Sequence, residues 1–97
     1  MIVCEGFFDA MKIHQAGYPN VVALMGSAMS REQENILATH FKGIVLALDG
    51  DEVGKRGTDE ISLRLARRAF VRIAPIPDGR QPDELSSEEL HAILGQL

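Results

Sequence analysis

Short apolar runs recur along the chain, each followed by a stretch with helical spacing, and this alternation constrains the fold more than any other feature. The runs are Ile2-Val3-Cys4, Val21 to Met25, Ile44 to Leu48 and Phe70 to Ile76, with Arg72 their single charged residue. Strands that are apolar on both faces belong to parallel sheets covered by helices on either side. The intervening segments supply those helices. Phe7 to Ala16 carries Phe7, Ala10, Met11 and His14 at helical spacing and stops at Gly17. Ser30 with Gln33 forms a capping box for a helix striped by Ile36, Leu37, His40 and Phe41. A third helix is expected over about Asp59 to Ala69, with Ile61, Leu65 and Ala69 facing inward. Ser86 with Glu89 caps a last helix, striped by Leu90, Ile93, Leu94 and Leu97. The order predicts a small, Rossmann-like α/β fold: a four-stranded, mainly parallel sheet flanked by helices.

Length and charge narrow the possibilities further. The 97 residues make one domain, with no repeat, linker or low-complexity segment. Apolar residues at 45% and charged residues at 25% exclude wholesale disorder. A net charge of −4 argues against coating nucleic acid through bulk charge, so such a role needs a local site. No apolar run approaches the ~20 residues needed to cross a bilayer, and no membrane partner is expected. The residues after Met1 lack the basic and apolar regions of a signal peptide. The single cysteine, Cys4, can form neither an internal disulfide nor a zinc site and reads as core packing. Together these point to a cytoplasmic setting.

In open parallel sheets the reactive crevice lies at the carboxyl ends of the strands. Three expected strand ends carry acids or glycine: Glu5, then Gly26-Ser27, then Asp49 and Asp51. Residues two apart on extended chain point the same way, so the two aspartates can converge on one hard cation. Gly50 between them leaves the backbone free to turn and lets phosphate or metal come close. A lone Asp-Gly-Asp is commonly only a turn. Acids on two strand ends of one small sheet, however, repel unless something neutralises them, and a cation is the simplest neutraliser. Lys55 and Arg56 follow the acidic loop directly and are candidates for phosphate contact, as are Gly26 and Ser27; Ser27 fits equally well as the residue preceding the Ser30 cap. Arg64, Arg67 and Arg68 are expected on a solvated outer helix face. Phe7 and Phe8 are expected to seal a sheet face rather than to stack on a base. Asp9 reads as a first-turn acid favoured by the helix dipole, with contact to a metal ligand as the second reading. His14, His40 and His91 have no ligand spacing.

Three segments, Glu5-Gly6-Phe7-Phe8-Asp9-Ala10, Leu24-Met25-Gly26-Ser27 and Ala47-Leu48-Asp49-Gly50-Asp51-Glu52-Val53-Gly54, resemble the Toprim domain. With Pro77-Asp78-Gly79-Arg80-Gln81-Pro82-Asp83-Glu84-Leu85 as the tail, the likeness is to bacterial DnaG-type primases and covers nearly the whole chain. The resemblance implies that Glu5 is the general acid or base of nucleotidyl transfer. It implies that Asp49 and Asp51 bind Mg2+ (Mn2+ can substitute), and that Asp83 adds to the same metal cluster. At Gln81 the chain departs from the family, which has aspartate there; an uncharged amide implies weaker binding of a second or third metal. Asp78 is a substitute on one reading and a Pro-Asp-Gly turn residue on the other.

The function so implied is that of a DNA primase or primase-like protein: magnesium-dependent synthesis of RNA primers on single-stranded DNA. Its partners would be single-stranded DNA and nucleotides, and a replicative helicase through other domains. Residues 1–97 are expected to be one Toprim domain, excised from or a minimal version of a larger primase-like protein, binding divalent metal alone but not priming alone. Two alternatives use the same fold: a stand-alone Toprim nuclease or RNA-processing protein, and a non-catalytic module that binds nucleic acid. Haloacid-dehalogenase-type phosphatases also use Asp-x-Asp, but after the first strand, where this chain has Glu5-Gly6.

Overall fold

In a computed structural model, which describes residues 1–95, the chain alternates strands and helices as β1 (Ile2–Cys4), α1 (Phe7–Gln15), β2 (Val21–Ala23), α2 (Arg31–His40), β3 (Gly43–Leu46), α3 (Glu52–Leu65), β4 (Phe70–Ile73) and α4 (Ser87–Leu94). A 3-10 turn, Pro82–Glu84, precedes α4. The sheet has the order β2-β1-β3-β4, and every pairing is parallel. Ile2 pairs with Val21 on one side and Val45 on the other, and Leu46 bridges Val3 to Ile73. The expected α/β sheet is thus present, and wholly rather than mainly parallel.

Alternation along the strands sorts the core into two layers. Ile2, Cys4, Val45 and Ala47 point to one face, where Ile13 of α1, Ala16 just after it, Leu85, and Leu90 and Leu94 of α4 cover them. Val3, Ile44, Leu46 and Leu48 point to the other, under Leu24, Met29, Leu37 of α2, and Ile61 and Leu65 of α3. Helices therefore cover both faces, which is why β1 and β3 are apolar throughout. Among the described residues, no helix is long and apolar enough to cross a membrane.

Several boundaries and faces differ from expectation. Helix α3 starts at Glu52, seven residues before Asp59, because Asp51 caps it: its Oδ1 accepts the Gly54 amide at 2.7 Å. Gly54 lies in the first turn of this helix, packed so closely on the Asp49 carbonyl that a methyl group there would collide with it. Helix α1 is rotated from the expected stripe. It buries Asp9 and Ile13 and leaves Phe7 58%, Phe8 70% and Met11 53% exposed, so the two aromatics do not seal the sheet. In α2, Leu37 is buried while Ile36 and His40 face solvent. Strand β2 is an edge and ends at Ala23, after which Met25 takes φ 67° and turns the chain away. Strand β4, the other edge, ends at Ile73. Leu90 and Leu94 are buried as expected; Leu97 lies outside the described residues.

Candidate active site

The sheet order makes one crevice special. From β1 the chain steps outward to β2, then returns to β1's other side for β3 and continues outward to β4. The connections diverge between β1 and β3, and the carboxyl ends of those two strands flank the gap where open α/β sheets bind ligands. Glu5 follows β1, and Asp49 lies three residues beyond β3. Their side chains face one another closely enough to share a proton. Glu5 Oε1 and Asp49 Oδ1 are buried, and no hydrogen-bond donor among the described residues reaches either.

Two half-buried carboxyls this close cannot both ionise freely. Burial, then the charge of Glu5, pushes Asp49 up to about 7. Burial also raises Glu5, with the charge of Asp51 adding to the effect and the Asp49 backbone amide opposing it. Near neutrality the proton belongs to the pair rather than to either residue. The charges of Asp51 and Asp83 act on Asp49 in the same upward direction, so both lie at the edge of the crevice. Cys4, just beneath, is raised to about 12 mainly by burial and is an inert thiol.

Asp51 and Asp83 are exposed and arrive by different routes. Asp51 is set by its capping bond to α3. Asp83 sits in the Pro82–Glu84 turn, whose own N–H is held by Oδ1 of Asp9 at 3.0 Å. Asp9 Oδ2 accepts the Gly6 amide at 3.2 Å. Asp9 is buried at 5% exposure and pushed up to about 6, chiefly by that burial. Its weight in the site exceeds the first-turn role expected from sequence; the local signal was only an acid three residues into α1.

Other candidates are placed differently from one another. The amides of Met25 and Gly26 both donate to the Glu5 carbonyl, at 2.7 and 3.2 Å, so the Gly26 amide turns towards the protein. Ser27 is half-buried with its carbonyl against Gly57 of α3, and it does not cap α2; Ser30 does, accepting the Gln33 amide. Lys55 pairs with Asp78 at 2.8 Å, so Asp78 answers Lys55 and not the carboxylate pair. Arg56 is exposed, with no ion pair among the described residues. Gly50 is buried beneath the tail rather than open to a ligand: a methyl group there would strike the Pro77 carbonyl. Its N–H donates to Arg80 at 2.7 Å and its carbonyl accepts from Gly79 at 2.9 Å, which fastens the tail to the acidic loop. Gln81 is exposed, and its backbone N–H donates to Glu84 Oε1. Arg64 is no solvated surface residue. It bonds Glu34 and the Met29 carbonyl, each at 2.7 Å, and Arg68 reaches Asn35 and Thr39, clasping α2 to α3.

Among the described residues, no three His, Cys, Asp or Glu side chains are already arranged to hold a metal ion. The site as folded is a carboxylate pair with Asp51 and Asp83 at its rim, not a closed cage. That donor set fits magnesium, which takes one or two carboxylates and keeps several waters. The buried, donorless oxygens of Glu5 and Asp49 are what a hard cation would satisfy.

The chain matches the model of a family described as Toprim-like over residues 2–86. It is similar to the DNA primase of Clostridium acetobutylicum, 35% identical over 85 residues that cover 87% of this chain and 14% of that protein. The DNA primase of Aquifex aeolicus is 34% identical over 89 residues, 90% of this chain and 18% of that protein. Among solved structures, the Aquifex aeolicus primase with its zinc binding and RNA polymerase domains superposes at TM-score 0.83 and 30% identity, covering 98% of this chain and 25% of that one. A DnaG primase catalytic domain bound to ssDNA gives TM-score 0.78 at 25% identity, over 99% of this chain and 33% of that one. The chain thus spans less than a fifth of the length of these two curated relatives.

Proposed function

The chain belongs to the Toprim-like family, and on that premise we propose that it is the acidic, cation-binding centre of a DNA primase, serving magnesium-dependent nucleotidyl transfer to make RNA primers on single-stranded DNA. The observation that carries this reading is the Glu5–Asp49 pair, two carboxyls in contact at the switch point of the sheet with an unsatisfied oxygen each. Nucleotides and template are polyanions, which a bare acidic crevice repels. Bound magnesium supplies the opposite charge there and orients phosphate oxygens.

The chain's own residues divide the remaining work. Asp49 and Asp51 are the ligands, with Asp83 adding charge from the tail; Mn2+ substitutes for Mg2+ in the same donor set. Glu5, raised by burial, is the group that takes or gives a proton at its carboxylate during transfer. Arg56, exposed and unpaired among the described residues, offers a phosphate contact one turn into α3. Lys55 can do the same by leaving Asp78, since water and salt screen an ion pair this exposed.

A domain-replacement experiment tests the reading. The chain is exchanged for the matching segment of the Aquifex aeolicus primase, and primer synthesis is measured on a single-stranded template with Mg2+. The chimera is expected to prime, its Glu5→Gln and Asp49→Asn versions are not, and the isolated chain binds metal without priming. Metal-dependent cutting of RNA or DNA by the isolated chain, lost in Glu5→Gln, would replace this reading with a nuclease.

A further inference from the structure

Asp9 is the one charged side chain that is buried among the described residues. Both its oxygens are engaged by backbone amides, and those amides belong to the two ends of the site. Oδ2 takes the N–H of Gly6, the residue after Glu5. Oδ1 takes the N–H of Asp83, 74 positions away in sequence. The Pro82–Glu84 turn is stiffened from within, by Gln81 N–H on Glu84 Oε1 at 2.7 Å and by Arg80 Nη2 on the Glu84 carbonyl at 2.7 Å. It is rooted in the core by Pro82 and Leu85. Gly50 ties the tail to the acidic loop, and the Asp9 carboxylate ties the turn to α1 through the Asp83 amide.

We propose that Asp9 is a positioning residue that holds Asp83 in register with Glu5 and Asp49, and is not itself a ligand of the cation. At 5% exposure, with an amide on each oxygen, its carboxylate is turned into the protein and spent on the backbone. The role rests on the proposed metal reading of the crevice. Groups that act through another ligand typically change metal affinity by about ten- to hundredfold.

The test combines Mn2+ titration with amide hydrogen exchange on the isolated chain, using Asp9→Ala, the volume-conserving Asp9→Asn, Asp83→Ala and the Asp9→Ala/Asp83→Ala double variant. In the metal-free chain, Asp9→Ala is expected to lose protection at the Gly6 and Asp83 amides while the Val3 and Leu46 amides stay protected. Mn2+ binding is expected to weaken about tenfold or more in Asp9→Ala, less in Asp9→Asn, and no further in the double variant than in Asp83→Ala. If Asp9→Ala fails to fold, the same comparison with Asp9→Asn decides. Additive losses in the double variant overturn the proposal, because Asp9 would then act other than through Asp83. So does unchanged Mn2+ binding in a folded Asp9→Ala chain. A parent chain that binds no Mn2+ instead overturns the metal reading itself, and is told apart because the exchange contrast at Gly6 and Asp83 persists.

Discussion

Glu5 and Asp49 are close enough to share a proton, yet each keeps a buried oxygen without a donor. This is a strained arrangement for two acids, and it has a thermodynamic signature. Asp49 is raised to about 7 and Asp9 to about 6, against ~3.9 in an unfolded chain. Between about pH 4 and pH 7 the folded state therefore binds more protons than the unfolded state, and stability falls as pH rises through that window. The metal-free chain is expected to melt higher at pH 5 than at pH 8. Asp49 is only half-buried, so screening leaves about 1–2 kcal/mol of the full effect, a shift of about 4–8 °C per kcal/mol for a domain of this size. Asp49→Asn should flatten the profile and raise the melting temperature at pH 8; calorimetry at the two pH values checks both.

Asp51 serves two ends at once, a charge at the crevice and the cap of α3. Asp51→Ala loses both, and should cost about 0.5–2 kcal/mol of stability as well as metal affinity. Asp51→Ser keeps a capping oxygen and drops the charge. Urea unfolding should find it near the parent in stability, while Mn2+ titration finds it as impaired as Asp51→Ala.

The rotation of α1 is checked by a contrast within one helix. Ile13 is fully buried, and Ile13→Ala should cost about 2–5 kcal/mol. Phe8 is 70% exposed, so Phe8→Ser should change stability by no more than about 0.5 kcal/mol. A large loss for Phe8→Ser in urea unfolding would place the aromatic face against the sheet after all.

Gly54→Ala tests the contact between α3 and the acidic loop. A methyl group at Gly54 has no space beside the Asp49 carbonyl, so either the helix start or Asp49 must move. Helix propensity alone would favour alanine by up to about 1 kcal/mol, whereas overpacking costs about 1–3 kcal/mol. A net destabilisation with weakened Mn2+ binding is expected; a stabilised variant would show that the contact is slack.

Strand content and sheet class were legible because β1 and β3 are apolar at every position, which only a doubly covered parallel sheet explains. The acids at Glu5, Asp49 and Asp51 were legible as strand-end residues for the same reason. Helix α1 was misread because apolar residues lie on two of its faces, and periodicity cannot tell Phe7 and Met11 from Ile13 and Ala16 as the buried set. The start of α3 was hidden by Gly54 and Gly57, whose presence answers close backbone packing rather than local chain reversal. Arg64 with Glu34 and Asp9 with Asp83 lie 30 and 74 positions apart, so no local pattern announces them. Asp9 carried its only signal in the three-residue spacing from Gly6.

The most direct measurement is a calorimetric titration of Mn2+ into the isolated chain, run in parallel on Glu5→Gln and Asp49→Asn. A parent chain that binds the ion, with binding weakened in Glu5→Gln and lost in Asp49→Asn, is the predicted result. A parent chain that takes up no ion at millimolar concentration, or two folded variants that bind as it does, would contradict the crevice as a cation site.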